Sequence, residues 1–420
     1  MSKLNTSDTI CALATPPGSS AIAVLRVSGK ETFTVASKVF SARKKDFDIK
    51  KEDTHTLHYG SITSGENLID DVLLSVFKNP HSYTGEDAVE ISCHGSAFIV
   101  QRVLALLLEN GCRMAQPGEF TLRAFLNGKL DLSQAEGVGD LIAANSRASH
   151  KLALDQMRGG FSQKIKTLRD QLMQFASLIE LELDFSEEDV EFADRKALDK
   201  LLQEIKAEVG MLAESFKEGN VLKTGVPVAI IGKPNVGKST LLNAILNEEK
   251  AIVSDIPGTT RDAIEDTIVI NGLAFRFIDT AGLRDTGDRI ESIGIERTFE
   301  KVRQARVILY LFDVNESDCL EVNADMEAIQ RQLGEEGMNE KHFILIANKI
   351  DQLVETPKHF RDMVEFECLF VSAKRKENIS MISDSLVKAI SADPDSEGVI
   401  VSNARHHEAL QGVLKSIDSI

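Results

Sequence analysis

The chain has 420 residues, 43% of them hydrophobic, and a formal charge of −17. That length exceeds one ordinary core and predicts two or three domains, while no apolar run is long enough to span a bilayer. The acidic balance repels nucleic acid globally, so any RNA contact needs a local basic patch or a partner that supplies one. The polar start, Met1 to Thr9, lacks a signal-peptide core and predicts a cytoplasmic protein. Cys11, Cys93, Cys112, Cys319 and Cys368 are scattered without a C-x-x-C pair, which argues for reduced, mostly buried thiols rather than a disulfide framework or a structural zinc site.

Residues 8 to about 120 alternate strand-like and helix-like runs. Thr9 to Ala14, Ala21 to Val27, Val72 to Phe77 and Ala88 to Ser92 are rich in Val, Ile and Leu and bounded by turn residues. Phe98 to Leu108 has helical spacing and ends near Asn110-Gly111. This is a compact α+β domain without an enzyme motif of its own. Arg26, Glu90 and Lys129 are its candidate ligand residues, although each taken alone reads as a solvated or paired charge. His94-Gly95, after a strand, invites a catalytic reading, but the sequence supplies no partner for the imidazole.

From about Leu130 the pattern becomes helical. Ile165, Leu168, Leu172, Phe175, Ile179 and Leu183 fall on one helix face, and Leu198, Leu201, Ile205, Val209 and Leu212 on another. Between them the acidic run Asp184 to Asp189 reads as a loop or helix start. The helices predict a bundle, and Ser215 to Gly225, with two glycines, reads as the linker into the next domain.

The most specific stretch follows. Val226 to Ile231 reads as a strand, Thr240 to Leu246 as a helix, and Gly232-Lys233-Pro234-Asn235-Val236-Gly237-Lys238-Ser239 joins them in the G-x-x-x-x-G-K-[ST] pattern of a phosphate cradle. Gly232 and Gly237 are expected bare so that backbone N–H groups reach phosphate oxygens, with Lys238 supplying charge and Ser239 a Mg²⁺ ligand. Thr267 to Ile270, Asn271-Gly272 and Leu273 to Ile278 spell a hairpin ending in Asp279-Thr280-Ala281-Gly282. There Asp279 would reach the metal through water, and the Gly282 N–H would sense the γ-phosphate. Strands at Val307 to Phe312, Phe343 to Ala347 and Leu369 to Val371 complete a mostly parallel sheet. Asn348-Lys349-Ile350-Asp351 offers a carboxylate that reads the N1–H and 2-amino group of guanine, and Ser372-Ala373-Lys374 forms a floor for the base. Gly258 to Asp262 is a switch segment that would bring Thr260 to the metal.

Two positions depart from an ordinary small GTPase. Leu283 stands where a water-orienting glutamine is usual, so another group, of which Glu291 is a candidate, must position the attacking water. Asn235 inside the loop is either plain filler or, with switch-loop oxygens, a ligand for a monovalent cation replacing an arginine finger.

Together these motifs resemble the MnmE (TrmE) family of tRNA-modification GTPases, within the TrmE-Era-EngA-like superfamily. The resemblance rests on Ala14 to Gly18, Leu25 to Gly29, Tyr83 to Asp87, Pro117 to Phe120, Arg123 to Asn127, the nucleotide motifs, Gly282-Leu283-Arg284 and Ile293 to Arg297, in family order over essentially the whole chain. It implies a multidomain α/β plus α fold, with a P-loop GTPase domain inserted in a helical bundle domain. The divisions would be an N-terminal α+β folate-binding-like and dimerisation domain over 1–120, helical segments over 121–222 and 393–420, and a Ras-like GTPase domain over 223–392. It further implies that GTP is held by Asn235, Val236, Gly237, Lys238, Ser239 and Thr240, by Ser254, Asp255, Ile256, Pro257, Gly258, Thr259 and Thr260, by Asp279, Thr280, Ala281 and Gly282, and by Asn348, Lys349, Asp351, Ser372, Ala373 and Lys374. Mg²⁺ would take Ser239 and Thr260, K⁺ would take Asn235, Ser254, Ile256 and Thr259, and catalysis would use Glu291, Lys238 and Gly282. Arg26, Glu90 and Lys129 match the family's site for a 5-formyl-tetrahydrofolate-type one-carbon donor. The implied partners are a second copy of the chain, the FAD-containing protein MnmG and tRNA. The implied reaction adds an aminomethyl or carboxymethylaminomethyl group at C5 of the wobble uridine. The family usually ends in a Cys-x-Gly-Lys motif, whereas this sequence stops at Ser419-Ile420, so GTP hydrolysis is expected to be intact and the complete modification reaction is left open. A ribosome-assembly switch would call for a basic appendage that this acidic chain lacks. A folate-binding scaffold with a vestigial GTPase is the remaining alternative.

Overall fold

In the computed structural model, residues 8–65, 67–184, 195–250, 266–278, 302–339, 341–353, 366–390 and 399–419 are described. The chain divides into two compact units, Met1–Gly139 and Asp140–Ile420.

The first unit is built on a sheet of order β3-β4-β5-β6-β2-β1-β7. Its strands are β1 (Ile10–Leu13), β2 (Ser20–Ser28), β3 (Phe40–Ala42), β4 (Thr56–Ser64), β5 (Asn67–Phe77), β6 (Ala88–Gly95) and β7 (Arg113–Met114). Side chains alternate faces along a strand. Leu25, Val27, Val72, Leu74, Val76, Val89, Ile91 and Cys93 therefore share a core with helices α1 (Thr32–Val39) and α2 (Ala97–Glu109). Arg26 and Glu90, in register on neighbouring antiparallel strands, fall between those core positions. Strand β6 continues through His94 to Gly95, past the predicted end at Ser92. Two further helices, α3 (Glu119–Leu126) and α4 (Leu132–Ala143), follow.

The second unit contains helices α5 (Arg147–Met157), α6 (Gly160–Asp184), α7 (Arg195–Thr224) and the nucleotide domain. Helix α7 corrects the expected linker at Ser215 to Gly225, because it runs unbroken through Thr224. The glycine that suggested a break, Gly219, instead lets a returning segment approach: a Cβ there would lie 2.2 Å from the Val401 carbonyl oxygen. The Val401 N–H donates to Ser215 Oγ at 3.0 Å, and Val401 and Leu410 of the returning segment and of α11 (Ala404–Ile417) share a core with Ile205, Val209 and Leu212. The rest of the acidic run after Asp184 lies outside the described residues.

The nucleotide domain is a sheet of order β13-β12-β11-β8-β10-β9. Its strands are β8 (Val226–Ile231), β9 (Asp266–Ile270), β10 (Leu273–Phe277), β11 (Val307–Asp313), β12 (His342–Asn348) and β13 (Glu367–Phe370), parallel except for the β9–β10 hairpin. A parallel sheet is covered on both faces, and these strands are apolar at successive positions for that reason. Val228, Leu309 and Ile346 face one core, with Leu241 and Ile245 of α8 (Lys238–Lys250), Ile382 and Leu386 of α10 (Ile379–Lys388), and Leu152 of α5. Ala229, Ile308 and Leu345 face the other, with Val322 and Met326 of α9 (Cys319–Asn339). The predicted Asn271-Gly272 turn has φ of 50° and 81°, the doubly left-handed geometry that joins twisted antiparallel strands. Its Gly272 carbonyl accepts from the Ala148 N–H at 3.1 Å, fastening the start of α5 to the hairpin.

Candidate functional site

The glycine-bounded loop leaves β8 and enters α8. Gly232 and Gly237 take φ of 145° and 102°, in the region that favours glycine. Both are bare for an additional reason beyond access to phosphate. A Cβ at Gly232 would sit 2.0 Å from the Leu311 carbonyl oxygen, and one at Gly237 would sit 2.5 Å from Asn348 Nδ2. The loop is pressed against the ends of β11 and β12, so these glycines serve packing as well as anion access. Lys238 Nζ curls back and donates to the Gly232 and Lys233 carbonyls at 2.7 Å each. Ser239 and Thr240 follow on the first turn of α8, at the helix N-terminus, whose dipole favours an anion. Asn235 is exposed, with φ of 62°.

The residues expected to recognise the base converge from the ends of separate strands. Asn348 is 3% exposed. Its Nδ2 donates to the Val236 carbonyl at 2.8 Å, and its Oδ1 accepts from the Ala373 N–H at 3.0 Å. One buried amide thus joins the phosphate loop to the Ser372-Ala373-Lys374 turn. Ser372 Oγ donates to Asp351 Oδ1 at 2.7 Å and accepts from the Arg375 N–H at 3.1 Å, which orients the carboxylate expected to read guanine. Lys349 lies at φ 68°, ψ 33°, and its ammonium pairs with Asp313 Oδ2 at 2.6 Å. Lys374 is exposed.

In the first unit, Arg26 Nε and its terminal nitrogen both approach Glu90 Oε1, at 2.9 and 2.7 Å. The guanidinium also lies over two rings, 5.2 Å from the centroid of Tyr83 and 5.6 Å from that of Phe120. Lys129 engages the same 80–86 loop as Tyr83: its Nζ donates to the Pro80 carbonyl at 3.0 Å, and its stem packs where a Gly85 Cβ would be. The expected trio is therefore arranged as a paired Arg26–Glu90 and a Lys129 tied to the loop that covers that pair. Two rings flanking a paired guanidinium present a surface able to meet a planar heteroaromatic group.

The same unit holds a charge network centred on buried Arg123 and Glu119. Arg123, 1% exposed, contacts Asp8, Glu86 and Glu119, and Arg113 pairs with Asp8 and Glu119 at 2.7 Å each. Burial pushes the Glu119 carboxyl up, yet donors from Arg113, the Gln116 backbone and Arg123 outweigh it and hold the group below the ordinary range. Ser28 Oγ donates to Glu86 Oε2 and shares a hydrogen bond with Thr84 Oγ1, both at 2.7 Å. His94 has the partner its sequence did not reveal: Asp70 Oδ1 lies 2.7 Å from Nδ1, and Asp70 Oδ2 accepts from the His94 N–H.

Two family models match the chain: "GTP-binding protein TrmE N-terminus" over residues 9–129 and "MnmE helical domain" over residues 132–420. Among curated relatives, the tRNA modification GTPase MnmE of Bacteroides fragilis is 52% identical, across 98% of this chain and 89% of its own length. That of Flavobacterium psychrophilum is 53% identical across 98% and 88%. The chain belongs to the MnmE (TrmE) family of tRNA-modification GTPases.

An MnmE-family chain is a GTP hydrolase, and the membership implies binding of GTP and Mg²⁺. The multidomain reading of α+β, helical and P-loop parts holds as expected. Ser254, Asp255, Ile256, Pro257, Gly258, Thr259, Thr260, Asp279, Thr280, Ala281, Gly282 and Glu291 lie outside the described residues. Asp313, Tyr83 and Phe120 carried no assigned role in the sequence reading. Tyr83 and Phe120 lie within the family motifs, and only the tertiary fold brings Tyr83 of loop 80–86 and Phe120 of α3 against Arg26. Among the described residues, no helix is long and apolar enough to cross a membrane and no group of three His, Cys, Asp or Glu side chains could hold a metal ion.

Proposed function

We propose that this chain is the GTP-hydrolysing component of wobble-uridine modification, adding an aminomethyl or carboxymethylaminomethyl group at C5 of uridine 34 together with an FAD-containing MnmG-type partner in the cytoplasm. The observation that carries the reading is the buried Asn348 amide, which couples the phosphate loop to the base-binding turn in a chain of this family. Such linkage lets one polar residue report guanine occupancy to the phosphate cradle. Lys238, Ser239 and Thr240 hold the phosphates, Ser239 and Thr260 ligate Mg²⁺, and Asn348, Lys349, Asp351, Ser372, Ala373 and Lys374 hold the base. Asp279 would reach the metal through water, the Gly282 N–H would sense the γ-phosphate, and Glu291 would orient the attacking water.

The exposed, left-handed Asn235 fits a ligand for K⁺, alongside Ser254, Ile256 and Thr259. A bound K⁺ supplies positive charge at the phosphates during cleavage. Two G domains would pair face to face when K⁺ is bound, and the first unit would also pair with its copy. Arg26 and Glu90, with Lys129, hold a formyl-tetrahydrofolate-type donor against Tyr83 and Phe120, and tRNA is reached through the assembled complex. The test is GTP turnover in KCl against NaCl at equal ionic strength, with sedimentation in the presence of a transition-state analogue. Faster turnover and dimerisation in K⁺ are expected. Equal rates in the two salts overturn the cation-dependent mechanism.

A further inference from the structure

Lys349 is held at two points by residues of the neighbouring strand end. It is a non-glycine residue in left-handed backbone conformation, φ 68° and ψ 33°, which costs energy unless the surroundings impose it. Its ammonium reaches Asp313 Oδ2 at 2.6 Å, and its carbonyl accepts from Asn315 Nδ2 at 3.2 Å. Asn315 is fixed in turn, because Asp313 Oδ1 accepts from both its backbone N–H and its Nδ2 at 3.0 Å. The Asp313 side chain is 4% exposed, against 28% for Lys349. Asp313 ends β11 directly opposite Asn348 on β12, and the Val314 N–H donates to the Asn348 carbonyl at 3.2 Å. Burial acts to raise the Asp313 carboxyl, but Lys349 and Asn315 outweigh it and hold it below the ordinary carboxylate range.

We infer that Asp313 and Asn315 are positioning residues for guanine-nucleotide affinity, clamping both the backbone and the ammonium of Lys349 so that its side chain lies ready against the base. This rests on the guanine-site reading above and adds two residues to it. A lysine stem is long and rotamer-rich, and ordering it only on binding reduces affinity. A buried carboxylate at the strand end removes that cost in advance and fixes the strained backbone between Asn348 and Asp351. Asp313 acts through Lys349.

The test uses the full chain and titration with a fluorescent GDP, in wild type, D313N, N315A, K349A and the D313N/K349A pair, with melting temperature measured in parallel. Loss of a charge-assisted, buried hydrogen bond predicts that D313N weakens GDP about tenfold, mainly through faster release. In the K349A background the same change is expected to cost less than about twofold, because the group being positioned is gone. An equal loss in both backgrounds overturns the inference and makes Asp313 a purely structural residue. Unchanged affinity in D313N overturns it as well. If D313N fails to fold, N315A carries the test: a weaker loss of GDP affinity is expected from release of the Lys349 carbonyl, and unchanged affinity overturns the inference. Wild type that binds GDP no better than ADP would instead overturn the guanine-site reading itself.

Discussion

Asn348 Nδ2 donates to the Val236 carbonyl at 2.8 Å across 112 positions of sequence. The bond joins the end of β12 to the phosphate loop, and the other end of the same amide accepts from Ala373. Neither partner is replaceable by water, since Asn348 is 3% exposed. The nucleotide site is therefore one cooperative unit rather than a set of loops that happen to be near each other.

Replacing Asn348 with Asp keeps the shape but puts a carboxylate oxygen against the Val236 carbonyl. Two like acceptors in a buried position cost about 2–3 kcal/mol. N348D is expected to lower the melting temperature and to abolish measurable GDP binding, and calorimetric melting with nucleotide titration checks both.

Gly237→Ala meets a left-handed φ and places a methyl 2.5 Å from Asn348 Nδ2. It is expected to break the same link and weaken GDP at least about tenfold, by analogy with the loss of one strong hydrogen bond. Gly139→Ala is the control: that glycine is in helix α4 with open space around it, so the change should stabilise by about 0.5–1 kcal/mol without touching nucleotide affinity. Urea unfolding and GDP titration distinguish the two.

Glu119 answers to two arginines from a fully buried position. Glu119→Gln is expected to cost about 3 kcal/mol near neutral pH by leaving Arg123 and Arg113 undercompensated. The folded carboxyl lies below its ordinary value of 4.5, so its contribution is present above that value and is lost as pH falls through the folded one. The stability gap between wild type and E119Q should narrow below about pH 4.5 in denaturant unfolding followed across the acid range. A gap constant down to the acid unfolding limit would contradict this assignment.

Arg26→Ala removes both the Glu90 pair and the cation over Tyr83 and Phe120. Binding of 5-formyl-tetrahydrofolate, followed by intrinsic tyrosine fluorescence or calorimetry, should weaken about tenfold or more. Because the pair is partly exposed, the stability cost should stay near 1 kcal/mol. Intact folate binding in this variant would remove Arg26 from the one-carbon site.

Several elements were legible locally because their signals are local. The period of the apolar residues in Ile165 to Leu183 gives a helix whatever its neighbours are, and Asn271-Gly272 gives a hairpin because few other residues tolerate two successive positive φ values. Ser215 to Gly225 was misleading for the same reason. Gly219 looks like a break when read along the chain, and only the Val401 backbone lying against it explains why a helix keeps a glycine there.

The sequence by itself determined the motifs: a phosphate-loop pattern, an Asn-Lys-x-Asp run expected to read guanine, Leu283 where a glutamine is usual, and a set of motifs belonging to one family. Those depend on residue type at short spacing, which the chain states directly. Tertiary structure decided who holds whom. Arg26 meets Glu90 64 positions away, and Lys349 meets Asp313 across two parallel strands. Alternation along a strand tells which side chains are buried, but not which strand lies beside it, so a partner brought in by sheet register has no signature in either segment alone.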